Sequence, residues 1–240
     1  MKIIVCKDYE EMSRKAVELV AESLRETPAG LVSFAGGETP LGAVHAFADQ
    51  VNAGEIDISR AHYVSLDEWV GLSDTDEGSC GLFNRVELLG RLEKPFAGAH
   101  VINGAAANIE DERRALDAYI AQHGPLTASV LGIGMNGHLG FNEDGVDFES
   151  DAHIIPLSDV TKRVMTKYFG EKFHPEYGIS QGLRQIMAAK RVILIANGAH
   201  KAEILRQAVR GEVTNRVPAS ILQQHPDCYV VADAAAGAGL

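Results

Sequence analysis

A histidine and a glutamate lie five residues apart in a glycine-rich stretch. His138 and Glu143 belong to Gly132–Gly145, which reads GIGMNGHLGFNEDG and follows the apolar run 128–131. So many glycines disfavour a helix, so we expect a loop after a buried strand. A carboxylate beside an imidazole can fix the tautomer and orientation of the ring. The pair therefore predicts an acid/base site.

Two other readings of the same loop stay open. Asn142 and Glu143 could simply cap a turn. The pair could also be half of a metal site, but such sites usually gather three or four ligands. No second histidine or cysteine lies within Gly132–Gly145. We therefore predict that no metal binds here.

Adjacent carboxylates follow another apolar run. Asp67 and Glu68 come after the predicted strand Ala61–Leu66. Neighbouring side chains of an extended chain point in opposite directions, so we expect only one of the two to face a ligand. A partly desolvated carboxylate there could act as a general base. A helix cap or a solvated acidic turn is the alternative.

A third polar segment, Gly36-Gly37-Glu38-Thr39, separates a predicted strand from a predicted helix. Gly36 and Gly37 would let backbone N–H groups turn toward an anion at the helix N-terminus, and Thr39 adds a hydroxyl. Glu38 would repel a phosphate, so it must point outward or contact a sugar hydroxyl or a cation. The alternative is a tight turn without a ligand. The segment matches neither common nucleotide-binding fingerprint.

Two cations complete the set of candidates. Arg163 lies on a predicted helix that follows the glycine-rich loop, and Lys201 lies at the start of a later helix. A lysine near a helix N-terminus opposes the helix dipole, and a bound phosphate would offset that cost. Each residue taken alone could equally be a solvated surface charge.

The composition limits what else the chain can do. Its 240 residues carry a net charge of −11, which argues against binding to nucleic-acid backbones. We find no apolar stretch of membrane-spanning length and expect neither a signal peptide nor a membrane partner. The three cysteines, Cys6, Cys80 and Cys228, are far apart, so we expect reduced thiols and a cytoplasmic location.

Strand and helix patterns alternate along most of the sequence. They predict strands at Lys2–Cys6, Leu31–Ala35, Ala61–Leu66, Ser129–Gly132, Ala152–Pro156, Arg191–Ala196 and Tyr229–Ala232. Helices are predicted at Tyr9–Glu26, Pro40–Val51, Ala105–Gln122, Val160–Phe169 and His200–Val209. The alternation predicts a single α/β domain over 1–240, Rossmann-like, with a mostly parallel sheet and helices on both faces. Ligands of such folds sit at the carboxyl ends of the strands, where the three polar segments would converge.

Nearly the whole chain resembles the glucosamine-6-phosphate deaminase (isomerase) family. The resemblance is carried by residues 65–72, 102–104, 132–144, 161–164, 198–202 and 222–226. Its most specific element is Gly-His-x-x-Phe-Asn-Glu at 137–143, because related 6-phosphogluconolactonases share the Gly-His without the Phe-Asn-Glu. The resemblance implies conversion of glucosamine 6-phosphate to fructose 6-phosphate and ammonia, without a cofactor, in amino-sugar catabolism.

The resemblance also assigns roles to residues. Asp67 matches the base that removes the C2 proton, and His138 matches the ring-opening catalyst. Glu143 and Asn136 match the residues that orient and tune this histidine. The matches to substrate-phosphate contacts are Gly36, Gly37, Glu38, Thr39, Arg163 and Lys201.

Several features depart from the family pattern. Asn136 stands where many members have aspartate, so a histidine–acid relay would rest on Glu143 alone. Glu38 stands where serine or glycine is commoner, and Trp69 replaces a usual tyrosine. Residues 152–156 contain none of the arginines or lysines of allosterically regulated members, so we expect no activation of that kind. The chain is also short at its C-terminus by comparison with the family, so we expect a monomer or small homo-oligomer.

Other functions remain open on the sequence alone. A deaminase for galactosamine 6-phosphate is the nearest alternative, because the two substrates differ only at C4. A 6-phosphogluconolactonase-like hydrolase is disfavoured by the Phe-Asn-Glu element at 141–143. A non-catalytic sugar-phosphate sensor is disfavoured because Asp67, His138 and Glu143 are all present.

Overall fold

Seven parallel strands form the central sheet of the protein. The computed structural model describes residues 1–163 and 173–240. In the described residues these strands are β1 (Lys2–Cys6), β2 (Leu31–Phe34), β3 (His62–Val64), β5 (Gly98–His100), β6 (Leu126–Leu131), β9 (Val192–Ala196) and β10 (Cys228–Asp233). They lie in the order β1-β10-β9-β6-β2-β3-β5, and every neighbouring pair is parallel.

Three further strands form a small second sheet. Within the same residues they are β4 (Asp67–Trp69), β7 (His153–Pro156) and β8 (Tyr177–Ser180), in the order β4-β8-β7 with antiparallel pairing. The α-helices that lie wholly within the described residues are α1 (Tyr9–Glu26), α2 (Glu38–Asn52), α3 (Cys80–Phe83), α4 (Ile109–His123), α5 (Leu183–Met187) and α6 (Ala202–Arg210). Shorter π-helical and 3₁₀ segments are Asn84–Leu88, Leu89–Arg91, Ala199–Lys201 and Pro218–Gln224.

Helices cover both faces of the central sheet, as the continuous apolar strands predict. In β9, Ile193 and Ile195 pack into the core formed with α1 and α2, whereas Leu194 packs into the core formed with α4, α5 and α6. All five residues of β9 are buried. The predicted α/β fold, with a mostly parallel sheet between two layers of helices, is therefore confirmed.

The order of the strands creates a crevice at the centre of the sheet. From β2 the chain builds outward through β3 and β5, and it then returns to place β6 on the other side of β2. Such a switch point leaves an opening at the carboxyl ends of the two diverging strands. The two loops that start there are the segments after Phe34 and after Leu131.

The small antiparallel sheet was not predicted. Asp67 and Glu68 are not a loop after a strand but part of β4, which pairs with β8. The predicted third strand, Ala61–Leu66, is confined to His62–Val64. The reason is that the chain leaves the parallel sheet at Ser65, whose N–H still bonds the carbonyl of His100. The strand at His153–Pro156 exists, but it belongs to the small sheet.

Some predicted boundaries were also shifted. Helix α2 begins at Glu38, two residues before Pro40. Helix α4 begins at Ile109 rather than Ala105, because the Asn108 side chain accepts a hydrogen bond from the backbone N–H of Glu110 and caps it there. The predicted helix Val160–Phe169 is present over 159–163, and its residues from 164 onward lie outside the described part. Over 1–163 and 173–240, no helix is both long and apolar enough to cross a membrane.

Candidate active site

A cavity of about 560 Å³ opens at the carboxyl ends of β2 and β6. It joins the three polar segments that the sequence singled out. The predicted residues in its lining are Gly36, Gly37, Glu38, Thr39, Asp67, His138 and Lys201. Asn136 and Glu143 lie behind His138 as its hydrogen-bonding neighbours. Arg163 is exposed and is not among the described residues that line the cavity.

His138 and Glu143 form a pair in the loop after β6. The Nδ1 atom of His138 lies 3.3 Å from Oε2 of Glu143, and the carboxylate is buried. Asn136 donates from Nδ2 to the same Oε2 at 2.8 Å, and its Oδ1 accepts from the backbone N–H of His138 at 3.3 Å. Asn136 therefore braces the pair from both sides, although it carries no charge.

Glu143 remains ionised despite its burial. Burial alone would raise the pKa of this carboxyl, but the hydrogen bond and charge of His138 and the hydrogen bonds from Thr161 and Asn136 outweigh it. Together they lower the pKa of Glu143 to about 2. A permanently ionised carboxylate at Nδ1 is what an imidazole needs if Nε2 is to exchange protons with a ligand.

The ring of His138 lies directly over Gly134. A Cβ atom at position 134 would come within 2.2 Å of His138 Nε2, so a side chain and the imidazole cannot both occupy this space. The absence of a side chain at Gly134 therefore makes room for the His138 ring, which lines the cavity.

Asp67 faces the cavity from β4. Gly140 of the His138 loop packs beside Asp67, since a Cβ at position 140 would lie 3.3 Å from Asp67 Oδ2 and 2.6 Å from Ser180 Oγ. Burial raises the pKa of Asp67 to about 6, against opposing contributions from a hydrogen bond with Cys80 and the charge of His138. A carboxylate with this pKa is a stronger base than an exposed one and is still ionised at neutral pH.

Glu68 points the opposite way, as the alternation along β4 predicts. It is fully buried and accepts backbone hydrogen bonds from Trp69 at 2.8 Å, Cys80 at 3.1 Å and Gly81 at 2.6 Å. Burial raises the pKa of this carboxyl to about 8, although the three N–H groups oppose the rise. Its place is structural, because it ties β4 to the cavity wall at the start of α3.

The far end of the cavity is formed by the start of α2. Gly37 has a φ of 104°, which favours glycine, and no side chain of the described residues caps the first N–H groups of the helix. N–H groups at a helix start can bind an anion, which is the role that the sequence predicts for this segment. The hydroxyl of Thr39 donates to Asn197 Oδ1 at 2.6 Å, and Glu38 is exposed at the edge. Lys201 approaches from across the cavity, with Nζ donating to the Ile133 carbonyl at 2.6 Å.

Several residues of the site were missed by the sequence reading. Thr161 and Ser158 hydrogen-bond around Glu143 from the segment after β7. Cys80 lies beside Asp67, and Asn197 holds Thr39. Spacing could not reveal them, since each is a single small polar residue far from its partner in sequence. Thr161 had one signal, because residues 161–164 are among those that carry the family resemblance.

The side chains at the cavity include groups that can accept and donate protons. Among the residues that the structure describes, no group of three or more His, Cys, Asp or Glu side chains could hold a metal ion. Titratable groups at the cavity include the Asp67 carboxyl on one side, the His138–Glu143 pair on the other, and Lys201 near the start of α2.

Known proteins are similar to this chain over most of its length. Residues 7–230 match the family of glucosamine-6-phosphate isomerases/6-phosphogluconolactonase. A protein named glucosamine-6-phosphate deaminase from Lachnoclostridium phytofermentans is 39% identical, with 96% of this chain and 98% of that protein covered. Its namesake from Thermoanaerobacter pseudethanolicus is 35% identical, with 97% and 92% covered.

Solved structures extend the comparison. A monomeric glucosamine-6-phosphate deaminase superposes with a TM-score of 0.93 at 30% identity over 99% of both chains. A 6-phosphogluconolactonase from Thermotoga maritima shares the fold, with a TM-score of 0.77 at 17% identity over 97% of this chain and 99% of that one. The chain belongs to the family of glucosamine-6-phosphate isomerases and 6-phosphogluconolactonases.

Proposed function

We propose that this protein is a glucosamine-6-phosphate deaminase, which converts its substrate and water into fructose 6-phosphate and ammonia. The observation that carries the proposal is that Asp67 and His138 line one cavity, with Gly140 of the His138 loop packed beside Asp67. The names of relatives at 35% and 39% identity support the same activity. We further propose one domain over residues 1–240, acting in the cytoplasm.

His138 opens the sugar ring in the proposed mechanism. Its Nε2 lies on the cavity wall, and Glu143 accepts from Nδ1. The imidazole takes the proton of the C1 hydroxyl and returns a proton to the ring oxygen, which breaks the bond between that oxygen and C1. Glu143 stabilises the imidazolium that forms between these two transfers.

Asp67 then moves a proton between two carbons. It removes the proton from C2 of the open-chain aldehyde and delivers it to C1. In the same conversion the C1 carbonyl oxygen gains one proton and the C2 amino group loses one, so the 2-amino aldose becomes a 2-imino ketose. Water adds to C2, and ammonia leaves. These steps are proton transfers and hydrolysis, so no redox cofactor is required.

The start of α2 binds the phosphate in this proposal. Its uncapped N–H groups, the Thr39 hydroxyl and Lys201 surround one end of the cavity. Binding the phosphate there holds C1 and C2 near the acid/base groups. Arg163 stays a candidate contact on the strength of the sequence resemblance alone.

The direct test is product analysis with three sugar phosphates. Purified protein is incubated with glucosamine 6-phosphate, galactosamine 6-phosphate or 6-phosphogluconolactone. We expect ammonia and fructose 6-phosphate from the first. Release of ammonia only from the galactosamine compound would overturn the substrate assignment. Lactone hydrolysis without ammonia from either amino sugar would overturn the deaminase assignment.

The activity should fall on the acid side of neutrality. Because the pKa of Asp67 is raised to about 6, the base is mostly ionised at pH 7 and mostly protonated at pH 5. We expect kcat/KM to fall about tenfold for each pH unit below about pH 6. The measurement is a pH profile of initial rates under buffers of constant ionic strength. A rate that is level down to pH 4.5 would show that Asp67 titrates much lower.

A methyl group at position 134 should disable the site without unfolding it. In Gly134→Ala, the new Cβ would lie 2.2 Å from the His138 Nε2 position, so the imidazole must move away from the cavity wall. We expect kcat to drop by about 100-fold or more, since misplacement by about 1 Å can cost that much. Gly132→Ala is the matched control, because a Cβ there meets nothing within 4 Å. Equal rates for the two variants would contradict the packing described above.

A further inference from the structure

Two hydroxyl groups stand behind the His138–Glu143 pair. Thr161 is buried, and its hydroxyl donates to Oε1 of Glu143 in a short hydrogen bond. The same Oγ1 lies 3.4 Å from Nδ1 of His138. Ser158 donates from Oγ to Thr161 Oγ1 at 3.2 Å, and its backbone N–H reaches Glu143 Oε1 at 3.3 Å. Both residues come from the segment that follows β7.

The direction of each hydrogen bond follows from what each atom can do. Ser158 Oγ accepts from the backbone N–H of Thr161 at 3.2 Å and from Asn136 Nδ2 at 3.5 Å, so its own proton points to Thr161. An ionised carboxylate can only accept, so the Thr161 proton is committed to Glu143. A hydroxyl oxygen has two lone pairs, of which one accepts from Ser158 and the other faces His138 Nδ1.

Both hydroxyl protons are therefore donated in the direction of Glu143, from Ser158 to Thr161 and from Thr161 to Glu143. His138 Nδ1 is left with acceptors only, namely Glu143 Oε2 at 3.3 Å and Thr161 Oγ1 at 3.4 Å. A neutral imidazole placed so must carry its proton on Nδ1 and keep the Nε2 lone pair for the cavity. Without the hydroxyl, one acceptor at Nδ1 is lost, and Glu143 loses a donor that holds its rotamer.

We infer that Thr161, supported by Ser158, is a positioning residue that selects the Nδ1–H tautomer of His138. The inference deepens the proposed function, because this tautomer leaves Nε2 able to take the proton of the sugar hydroxyl. Thr161 acts through Glu143 and His138, and the chemistry of the reaction assigns it no proton of its own. Thr161 lies within the described helical residues 159–163, so the tautomer depends on how this segment packs against the glycine-rich loop.

The test compares Thr161→Val, which keeps the shape and loses the hydroxyl, with Thr161→Ser, which keeps the hydroxyl. The first readout is the ring nitrogen NMR signals of His138 in the resting protein, which report the tautomer directly. We expect Thr161→Val to lose the predominance of the Nδ1–H form and Thr161→Ser to retain it. Unchanged ring signals in Thr161→Val would overturn the inference. If that variant does not fold, Thr161→Ala is measured in the same way and decides the question.

The second readout is the split between kcat and KM. Misplacement of a reacting group by about 1 Å can cost about 100-fold, so we expect kcat to fall by about 10- to 100-fold in Thr161→Val with KM nearly unchanged. Thr161→Ser should recover most of the rate. Thr27→Val is the matched control, because Thr27 follows α1 and contacts Lys190 far from the cavity. A loss confined to KM would contradict a role in positioning His138.

The two proposals fail separately. If the unmodified protein releases no ammonia from either amino-sugar phosphate, the proposed function is wrong. The tautomer of His138 is read without any substrate, so that result still tests the role of Thr161.

Discussion

Asp67→Asn is expected to abolish proton exchange at C2 and to make the folded protein more stable. Asparagine keeps the shape of the side chain and cannot accept the substrate proton. A general base contributes about 10²- to 10⁴-fold, so kcat should fall by that factor. The measurement is incubation of glucosamine 6-phosphate with the variant in D₂O, followed by NMR of the C2 position. KM should change little, because the phosphate end of the cavity is untouched.

The gain in stability follows from the pKa of the same group. Burial raises the pKa of Asp67 from 3.8 to about 6, so the folded protein resists ionising a group that the unfolded chain ionises readily. The resulting cost is absent below the unfolded pKa, grows between about pH 4 and 6, and is full above that range. Asparagine removes it. The melting temperature of Asp67→Asn should therefore exceed that of the unmodified protein at pH 7.5, and the difference should shrink at pH 4.

An exposed aspartate provides the control for both effects. Asp49 lies on α2 with its side chain in solvent, so Asp49→Asn should change neither the exchange at C2 nor the melting temperature appreciably. Deuterium incorporation at C2 by Asp67→Asn at the normal rate would remove Asp67 from the role of base. Lost activity together with a lower melting temperature would instead mean that the carboxylate is needed for the fold.

The central sheet could be predicted because its signals are local. Strands such as Lys2–Cys6 and Val192–Ala196 are short apolar runs between helical patterns, and α1 begins at a capping aspartate, Asp8, that the sequence displays. The strand Tyr177–Ser180 carries no such pattern, and it was missed. Its place is set by pairing with β4 and β7, which are distant in sequence.

The residues of the candidate site could likewise be found where the signal is local in sequence. Asp67, His138 and the segment from Gly36 could be found, because each follows a strand and the carboxyl ends of parallel strands meet. What the sequence could not supply was orientation. The alternation along the strand predicted that only one of Asp67 and Glu68 would face the cavity, but not which one. Glu68 turns into the protein, where it accepts hydrogen bonds from backbone N–H groups twelve and thirteen residues later in the chain.

Asn136 supports the His138–Glu143 pair by hydrogen bonds and adds no charge to it. As an amide it cannot share the negative charge of the relay, and it instead donates to Glu143 and accepts from the His138 backbone. The single carboxylate is compensated by hydroxyl donors on the opposite side, of which Thr161 contacts Glu143 directly. Polarisation of His138 therefore depends on the carboxylate of Glu143, which hydrogen bonds from Asn136 and Thr161 hold on two sides.

His138→Gln is expected to slow the reaction of the ring-closed sugar far more than that of a substrate that cannot close. Glutamine can occupy the space over Gly134, but it cannot carry a proton between the C1 hydroxyl and the ring oxygen. We expect kcat on glucosamine 6-phosphate to fall by about 10²- to 10⁴-fold. An analogue that lacks the hydroxyl groups at C4 and C5 cannot form a furanose or pyranose ring. Because it needs no ring opening, its C2 exchange should fall by no more than about tenfold, well below the 10²- to 10⁴-fold contribution of general acid/base catalysis.

The comparison with Asp67→Asn makes this result decisive. Asp67 acts after the ring has opened, so its loss should remove C2 exchange from both substrates by similar factors. His138 acts before that step, so its loss should separate the two substrates. If His138→Gln slows both equally, the imidazole serves the proton transfer at carbon rather than ring opening, and the pair of His138 with Glu143 would then stabilise charge that develops on the substrate oxygen at C1.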